Sequence, residues 1–408
     1  MSIDRSLESM EMFCGAHRQM RFISGPRQSG KTTLARAVLK VHRCERFYYN
    51  WDDRGIRRRY RENPGFVWTD VKQDGKSRRA VWACMDEIHK IPKWKDILKG
   101  MFDTLEREAR FVVTGSARLE LFRRSGDSLV GRYFLFHLLP LTLREVIGKA
   151  RVPVRPEKNS GKFVENRIDS STPHENEMAG LIKFGAFPEP FTHQSPAFSR
   201  KWHDSNVDRL VREDLRDLTR VVDLENVATL VELLPSKIGS PLSLNSLCRD
   251  LQVSHTAVRH YVRMLDLTYI LFDVRPFAAR IAQSIRKERK VYLYDWSAVS
   301  DPAARFENYV AFELLAWVTH WTDAGLGRFE LTYVRTRQGK ETDFLILWDR
   351  LPWLLVEAKV SDRPVESHHA AHSTALGNIP MVQLCRSPDC LTKDKKNIYR
   401  ISAARFFA

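Results

Sequence analysis

Eight residues, GPRQSGKT from Gly25 to Thr32, set two glycines, a lysine and a hydroxyl at the spacing G-x-x-x-x-G-K-[ST]. They follow a short apolar run, RFISG, and lead into KTTLARAVLKVH, which has helical periodicity. A loop in that setting wraps phosphates with backbone N–H groups, and the helix N-terminus adds positive dipole. Gly25, Pro26, Arg27, Gln28, Ser29, Gly30, Lys31, Thr32 and Thr33 are therefore the candidate nucleotide cradle. Lys31 would bridge the β- and γ-phosphates, and the Thr32 hydroxyl would ligate Mg²⁺. The run Val81–Glu87, VWACMDE, ends an apolar strand on two adjacent carboxylates. A strand-end pair of this kind is, taken alone, more often a solvated turn. Opposite a phosphate loop, Asp86 would hold Mg²⁺ through water and Glu87 would orient and deprotonate the attacking water.

Two further positions belong to this group. FVVTGSA ends at Thr114-Gly115-Ser116, where the Ser116 hydroxyl would sense the γ-phosphate or cap the following helix. Arg132, in SLVGRYF, is a candidate arginine finger acting in cis or across a subunit boundary, the latter requiring a homo-oligomer.

A second constellation lies in ETDFLILWDRLPWLLVEAKVS, Glu341–Ser361. FLIL and WLLV read as a buried β-hairpin. An i, i+2 spacing puts Glu357 and Lys359 on one face of a strand, so Asp343, Glu357 and Lys359 can converge at one end. Read alone, the trio is an ion pair beside a strand-capping Asp.

The strings GPRQSGKTTL, MDEIHKIPKWKDILKGMFD, VVTGSARLELF, SLVGRYFLFHLLPLTLRE and FGAFPEPF occur in that order. They resemble prokaryotic AAA-like P-loop ATPases that carry a C-terminal domain of unknown function similar to restriction-endonuclease folds of the PD-(D/E)-x-K type. EDLRDLTRVVDLENV, IGSPLSLNSLCRDLQVSHTAVRHYVRML, KVYLYD, FENYVAFELL, KETDF and VEAKVS extend the resemblance over nearly the whole chain. It implies ATP and Mg²⁺ as cofactors. It also implies metal binding by Asp343 and Glu357, with Glu307 (or, less well placed, Glu313) from an upstream helix, Glu341 assisting, and Lys359 positioning or activating water. No Pro precedes Asp343, a departure from the family motif.

The elements that must position these groups set the fold class. Strands and helices alternate through the first third, which predicts a parallel α/β sheet of the P-loop NTPase type. Residues 1–197 are expected to form this ATPase domain, with a lid and a polar, irregular insertion at about 150–179. Residues 198–290 are expected to be helical. There PLSLNSLCRDLQVSHTAVRHYVRMLDL reads as a winged helix-turn-helix: Ser254 caps the second helix and IRKERKVYLYD follows as a basic wing. His255, Arg259, His260 and Arg263 face outward there as candidate DNA contacts, although such a unit can also pack on a nucleotide domain and read no DNA. Residues 291–408 are expected to be an α/β restriction-endonuclease-like domain.

Charge is unevenly distributed. The chain of 408 residues carries +16 overall, and residues 1–150 hold 30 basic against 18 acidic residues, a surplus of 12. Residues 301–408 hold 14 basic and 13 acidic, so that module has little electrostatic grip of its own. The surplus suits a polyanion, DNA first. Six cysteines form no close CxxC pair, the start MSIDRSLESMEM is charged, and no apolar run approaches a membrane span. These features predict a cytoplasmic protein without a membrane partner. Two functional readings result. One is an ATPase coupled to a DNA-binding, Mg²⁺-dependent nuclease-like module for defence, mobile elements or repair. The other is an ATP-switched interaction protein whose nuclease-like domain docks or binds without cutting.

Overall fold

The computed structural model describes the chain except for residues 1–2, 16, 75–79, 106–107, 116–128, 211–222, 278–287, 389 and 395–396. Two compact units form: Arg5–Pro140, and Leu141–Ala408 with the first few residues.

In the first unit the apolar runs become β1 (Met20–Ser24), β2 (Tyr48–Asn50), β3 (Val81–Asp86), β4 (Ala109–Thr114) and β5 (Tyr133–His137). All pair in parallel, in the order β2-β3-β4-β1-β5. Every residue of β1 and β3 is buried, as in a sheet covered on both faces. The order has a chemical consequence. β4 lies between β1 and β3, in register Ile23–Thr114–Asp86, so the ends of β1 and β3 stand two strand spacings, about 10 Å, apart. Thr114 stands between those two strand ends.

The second unit is built on an eight-stranded mixed sheet of order β12-β13-β11-β10-β9-β8-β6-β7. Its strands are β6 (Leu271–Pro276), β7 (Lys290–Leu293), β8 (Phe329–Arg335), β9 (Glu341–Trp348), β10 (Leu351–Lys359), β11 (Met381–Cys385), β12 (Leu391–Asp394) and β13 (Ile398–Ser402). The β9–β10 hairpin turns at Asp349 and Arg350, with φ of 49° and 71°. Positive φ at both central residues gives the twist that matches two antiparallel strands. Phe344–Leu347 and Leu354–Val356 are all buried, so both hairpin faces are covered. The 22-residue helix Pro302–Asp323 packs on this sheet; it starts where the Asp301 carboxylate accepts the Ala304 N–H at 2.7 Å.

Two expectations need revision. The polar stretch 150–179 is not irregular: it contains the helix Ser160–Ser170, capped by Asn159, and the start of the helix Glu175–Phe184. Few residues of the first helix are apolar, but Phe163 alone meets the rings of Trp317, Trp321, Trp353 and Phe406. A single aromatic at the right place anchors a helix that composition reads as loop. The boundaries drawn at 197 and 290 also differ from the observed division. β6 pairs with β8 through Arg275–Thr332 and Pro276–Tyr333, so the strand pair after the two helices is continuous with the C-terminal sheet. No helix among the described residues is long and apolar enough to cross a membrane.

Candidate functional site

The loop after β1 has the backbone that its glycines permit. Gly25 has φ 146°, and a Cβ there would stand 2.2 Å from the Leu138 carbonyl oxygen, so only glycine fits. Gly30, at φ 97°, is the N-cap of the helix Lys31–Val41. Ser29 donates to the Pro26 carbonyl at 2.9 Å, closing the loop on itself. Lys31 is buried, and its ammonium donates to the Gly25 carbonyl at 2.8 Å and to that of Pro26. Thr32 and Thr33 are exposed at the mouth.

Asp86 stands beside the start of this helix. Thr32 Oγ1 donates to Asp86 Oδ2 at 3.0 Å, joining the helix start to the end of β3. Sequence reasoning missed two more donors. The Tyr48 hydroxyl also reaches Asp86 Oδ2, and Thr114 donates to Asp86 Oδ1. Burial, then the bond to Asp86, raises the Tyr48 pKa. Thr114 was visible as the residue beside Ser116; Ser116 itself lies outside the described residues. Glu87 follows with φ 60°, and burial pushes its carboxyl above the ordinary range despite Lys90 and Lys31. A carboxylate of raised basicity beside the phosphate loop is suited to accepting a proton from water. A hydroxyl and a carboxylate at hydrogen-bonding distance fit a hydrated Mg²⁺; Thr32 and Asp86 would hold it, and it would neutralise phosphate charge.

Arg5, also missed, braces the cradle: it is buried and donates to the Ser29 carbonyl at 2.6 Å and to that of Leu139. Nothing in its local sequence marks it. Arg132 is corrected. It precedes β5, and its carbonyl accepts the N–H of Met20 at 2.9 Å, at the start of β1. Parallel strands place that end opposite to the phosphate loop, so Arg132 cannot reach its own chain's nucleotide. Its guanidinium instead pairs with Asp103 at 2.9 Å.

The second constellation also converges. The Asp343 N–H donates to Glu357 Oε2 at 3.1 Å, and the Ala358 N–H to Asp343 Oδ2 at 3.1 Å. Lys359 Nζ lies 2.7 Å from Glu357 Oε1. Glu307 joins from the long helix, and Glu341 from the head of β9. Glu313 does not: it is buried and accepts the Leu143 N–H at 2.8 Å.

What the sequence did not reveal is the residue among them. Lys290, the first residue of β7, has no exposed side-chain surface and lies 3.1 Å from Glu307 Oε1, 2.7 Å from Glu341 Oε1 and 3.0 Å from Asp343 Oδ1. Tyr292 adds a donor to Glu307 at 2.7 Å. Burial works against the Lys290 charge, but Tyr292, Asp343, Glu307 and Glu341 hold its pKa above the usual lysine range. Burial, then Asp343, pushes Glu307 up to about 7 and Glu357 up to about 8. Beside the cluster, Thr342 Oγ1 sits 2.8 Å from both His369 Nδ1 and His372 Nδ1, and burial drives His369 down to about 3. Among the described residues, the only three ligand-type side chains whose donor atoms gather within 4.8 Å are Asp362, Cys385 and Cys390, elsewhere in the sheet. Glu307, Asp343 and Glu357 thus do not fit a shared divalent ion in this arrangement. In this arrangement the Lys290 ammonium stands among Glu307, Glu341 and Asp343 as a lysine–carboxylate cluster, and Glu357 pairs with Lys359 beside it.

The helices Leu244–Leu251 and His255–Leu267 are joined by a turn through Gln252, with Ser243 and Ser254 as caps. Leu247, Leu251, Val258 and Leu265 are buried, while His255, Arg259, His260 and Arg263 are exposed. Of the expected basic wing, residues 285–287 lie outside the described residues.

Residues 17–147 match the family model described as an AAA domain, and residues 176–301 match a domain of unknown function. An uncharacterized protein of Mycobacterium tuberculosis is 26% identical over 337 residues, covering 79% of this chain and 66% of that protein. One of Methanocaldococcus jannaschii is 20% identical over 290 residues, 67% of this chain and 60% of that protein. The chain thus spans less than two thirds of the length of these relatives. Among solved structures, AMPPCP-bound DnaA from Aquifex aeolicus matches at TM-score 0.30 and 15% identity, over 64% of this chain and 84% of that one. Caenorhabditis elegans PCH-2 matches at 0.26 and 13%, over 63% and 64%. Overlaps this loose carry no argument beyond themselves. Residues 17–147 thus combine a match to the AAA domain model with the backbone of a phosphate-binding loop, the pattern of an AAA-like P-loop domain.

Proposed function

We propose that the protein hydrolyses ATP at the Lys31–Asp86–Glu87 site and uses nucleotide state to control a DNA-contacting helical unit. In this reading the C-terminal module binds or docks without cutting. One observation carries the ATP step: Asp86 gathers Thr32, Tyr48 and Thr114 in front of the phosphate loop, with Glu87 one residue on. Lys31 would leave the Gly25 and Pro26 carbonyls for the β- and γ-phosphate oxygens. Glu87 would take a proton from water as its oxygen bonds the γ-phosphorus and the bond to the ADP oxygen breaks. ADP and phosphate are released.

DNA contact is supported by the exposed row His255, Arg259, His260 and Arg263 and by the +16 net charge. A role for Arg132 across a subunit boundary would need an assembly. The test is steady-state ATP turnover of the full chain with and without duplex and single-stranded DNA. Turnover that responds to DNA, and DNA binding weakened by Arg259→Ala and Arg263→Ala, supports the reading. Turnover absent in all conditions sinks the ATPase half; turnover indifferent to DNA, without DNA binding, sinks the other.

The nuclease reading retains one favourable observation, the convergence of Asp343, Glu357 and Lys359. Plasmid cleavage with Mg²⁺ or Mn²⁺ that disappears in both Asp343→Ala and Lys359→Ala would establish it.

A further inference from the structure

We propose that the Lys290 ammonium is the resident cation of the Glu307–Glu341–Asp343 cluster and excludes a divalent ion from it. This deepens the reading of the C-terminal module as non-cutting.

The donors count out. A lysine ammonium has three N–H bonds and no acceptor. Three carboxylates receive them, at 3.1, 2.7 and 3.0 Å, and no surface of the side chain is left for water. Further donors reach the same carboxylates and Glu357. Asp343 Oδ2 takes the Ala358 N–H, Glu307 takes the Tyr292 hydroxyl, and Glu357 takes Lys359 and the Asp343 N–H.

The cage has the wrong radius for a metal. Mg²⁺ draws oxygens to about 2.0–2.1 Å and demands near-octahedral order. Here the oxygens stand at ammonium distance, so each would have to close by roughly 0.6–1 Å after Lys290 had left. The position is held from the backbone as well. Lys290 begins β7, which pairs with β6 from Val274–Lys290 to Leu271–Leu293, and it forms a bridge with Pro241. On the far side, Gly239 at φ 83° lies so close to Glu307 that a Cβ would stand 3.2 Å from Oε2. The lysine is therefore built into the sheet rather than swung in from solvent.

The experiment titrates the nucleotide-free full chain with Mn²⁺, reading bound ion by electron paramagnetic resonance. The wild type is expected to bind no Mn²⁺ that depends on Asp343; ion that survives Asp343→Asn is bound elsewhere and does not count. Lys290→Met is expected to gain one Mn²⁺ per chain, lost again when Asp343→Asn is added. Wild-type Mn²⁺ that disappears in Asp343→Asn overturns the proposal, and so does a folded Lys290→Met chain that takes up no extra ion. If Lys290→Met does not fold by circular dichroism, Lys290→Met/Glu307→Gln removes one charge of each sign and is titrated instead. If neither folds, the wild-type titration alone decides. ATP turnover enters none of these readings, so failure here leaves the ATPase proposal standing, and the converse holds.

Discussion

Asp86 and Asp343 are both buried carboxylates at the end of an apolar strand, yet their neighbours differ in kind. Asp86 is held by three hydroxyls, from Thr32, Tyr48 and Thr114. Hydroxyls satisfy lone pairs without supplying charge, which suits a carboxylate meant to meet a cation that arrives with the nucleotide. Asp343 is held by a backbone N–H and by an ammonium that two other carboxylates share. There the compensating charge is part of the chain. A carboxylate held by hydroxyls can still take a cation as ligand; one held by an ammonium is a structural element.

The largest effect expected on this contrast is at Glu87. Glu87→Gln should lower kcat for ATP by about 10²–10⁴-fold with binding retained, the scale of a lost general base. Single-turnover kinetics would check it, and an unchanged rate would remove Glu87 from the proton transfer. Lys31→Ala should cost about 10²–10³-fold, the scale of one lost donor to transition-state charge.

The second site should respond in stability. Lys290→Met takes the ammonium from buried Asp343 and from the half-buried Glu307 and Glu341 and should destabilise the chain by about 3 kcal/mol, read by denaturant unfolding. If the loss is small, the cluster is not a lysine-dependent structure and the contrast fails.

Acid–base behaviour sharpens it further. Glu307 at about 7 and Glu357 at about 8 bind protons more tightly folded than unfolded. Their contribution is therefore complete below the ordinary carboxylate range and is lost as pH rises through 7 to 8. Glu313, also at about 8, acts in the same direction. His369 runs the other way, but its contribution is already complete above pH 6.5. The melting temperature should fall between pH 6.5 and 8.5, and Glu357→Gln should make that slope shallower by up to one proton, about 1.4 kcal/mol per pH unit. An identical slope in the variant would show that Glu357 is already ionised in the folded chain. The smallest effect is expected of Arg132→Ala in a dilute single chain, where ATP turnover should not change, because the Arg132–Asp103 pair is solvent-exposed at the sheet's other end. A large loss would place Arg132 at a neighbouring chain's nucleotide.

Legibility followed sequence distance. The phosphate loop, the hairpin and the capped helix pair were readable because periodicity, glycine and cap residues act within a few positions, as at Gly25 and Ser254. The helix at 160–170 was not, since its anchor Phe163 gains its value from rings more than 150 residues away. Arg132 was misplaced because a spacing motif says nothing about which end of a strand a residue occupies.

The sequence by itself determined that a phosphate cradle precedes a helix, that Asp86 and Glu87 end a strand, and that Asp343, Glu357 and Lys359 share a hairpin end. Those are consequences of local stereochemistry and of the period-two alternation of strands. Only the tertiary structure decided what each carboxylate meets. Strand order set Thr114 between β1 and β3, and the pairing of β6 with β7 carried Lys290, 53 residues upstream of Asp343, into the space where its carboxylates converge. Charge compensation in a buried site is a matter of a few ångströms, and no local pattern encodes them.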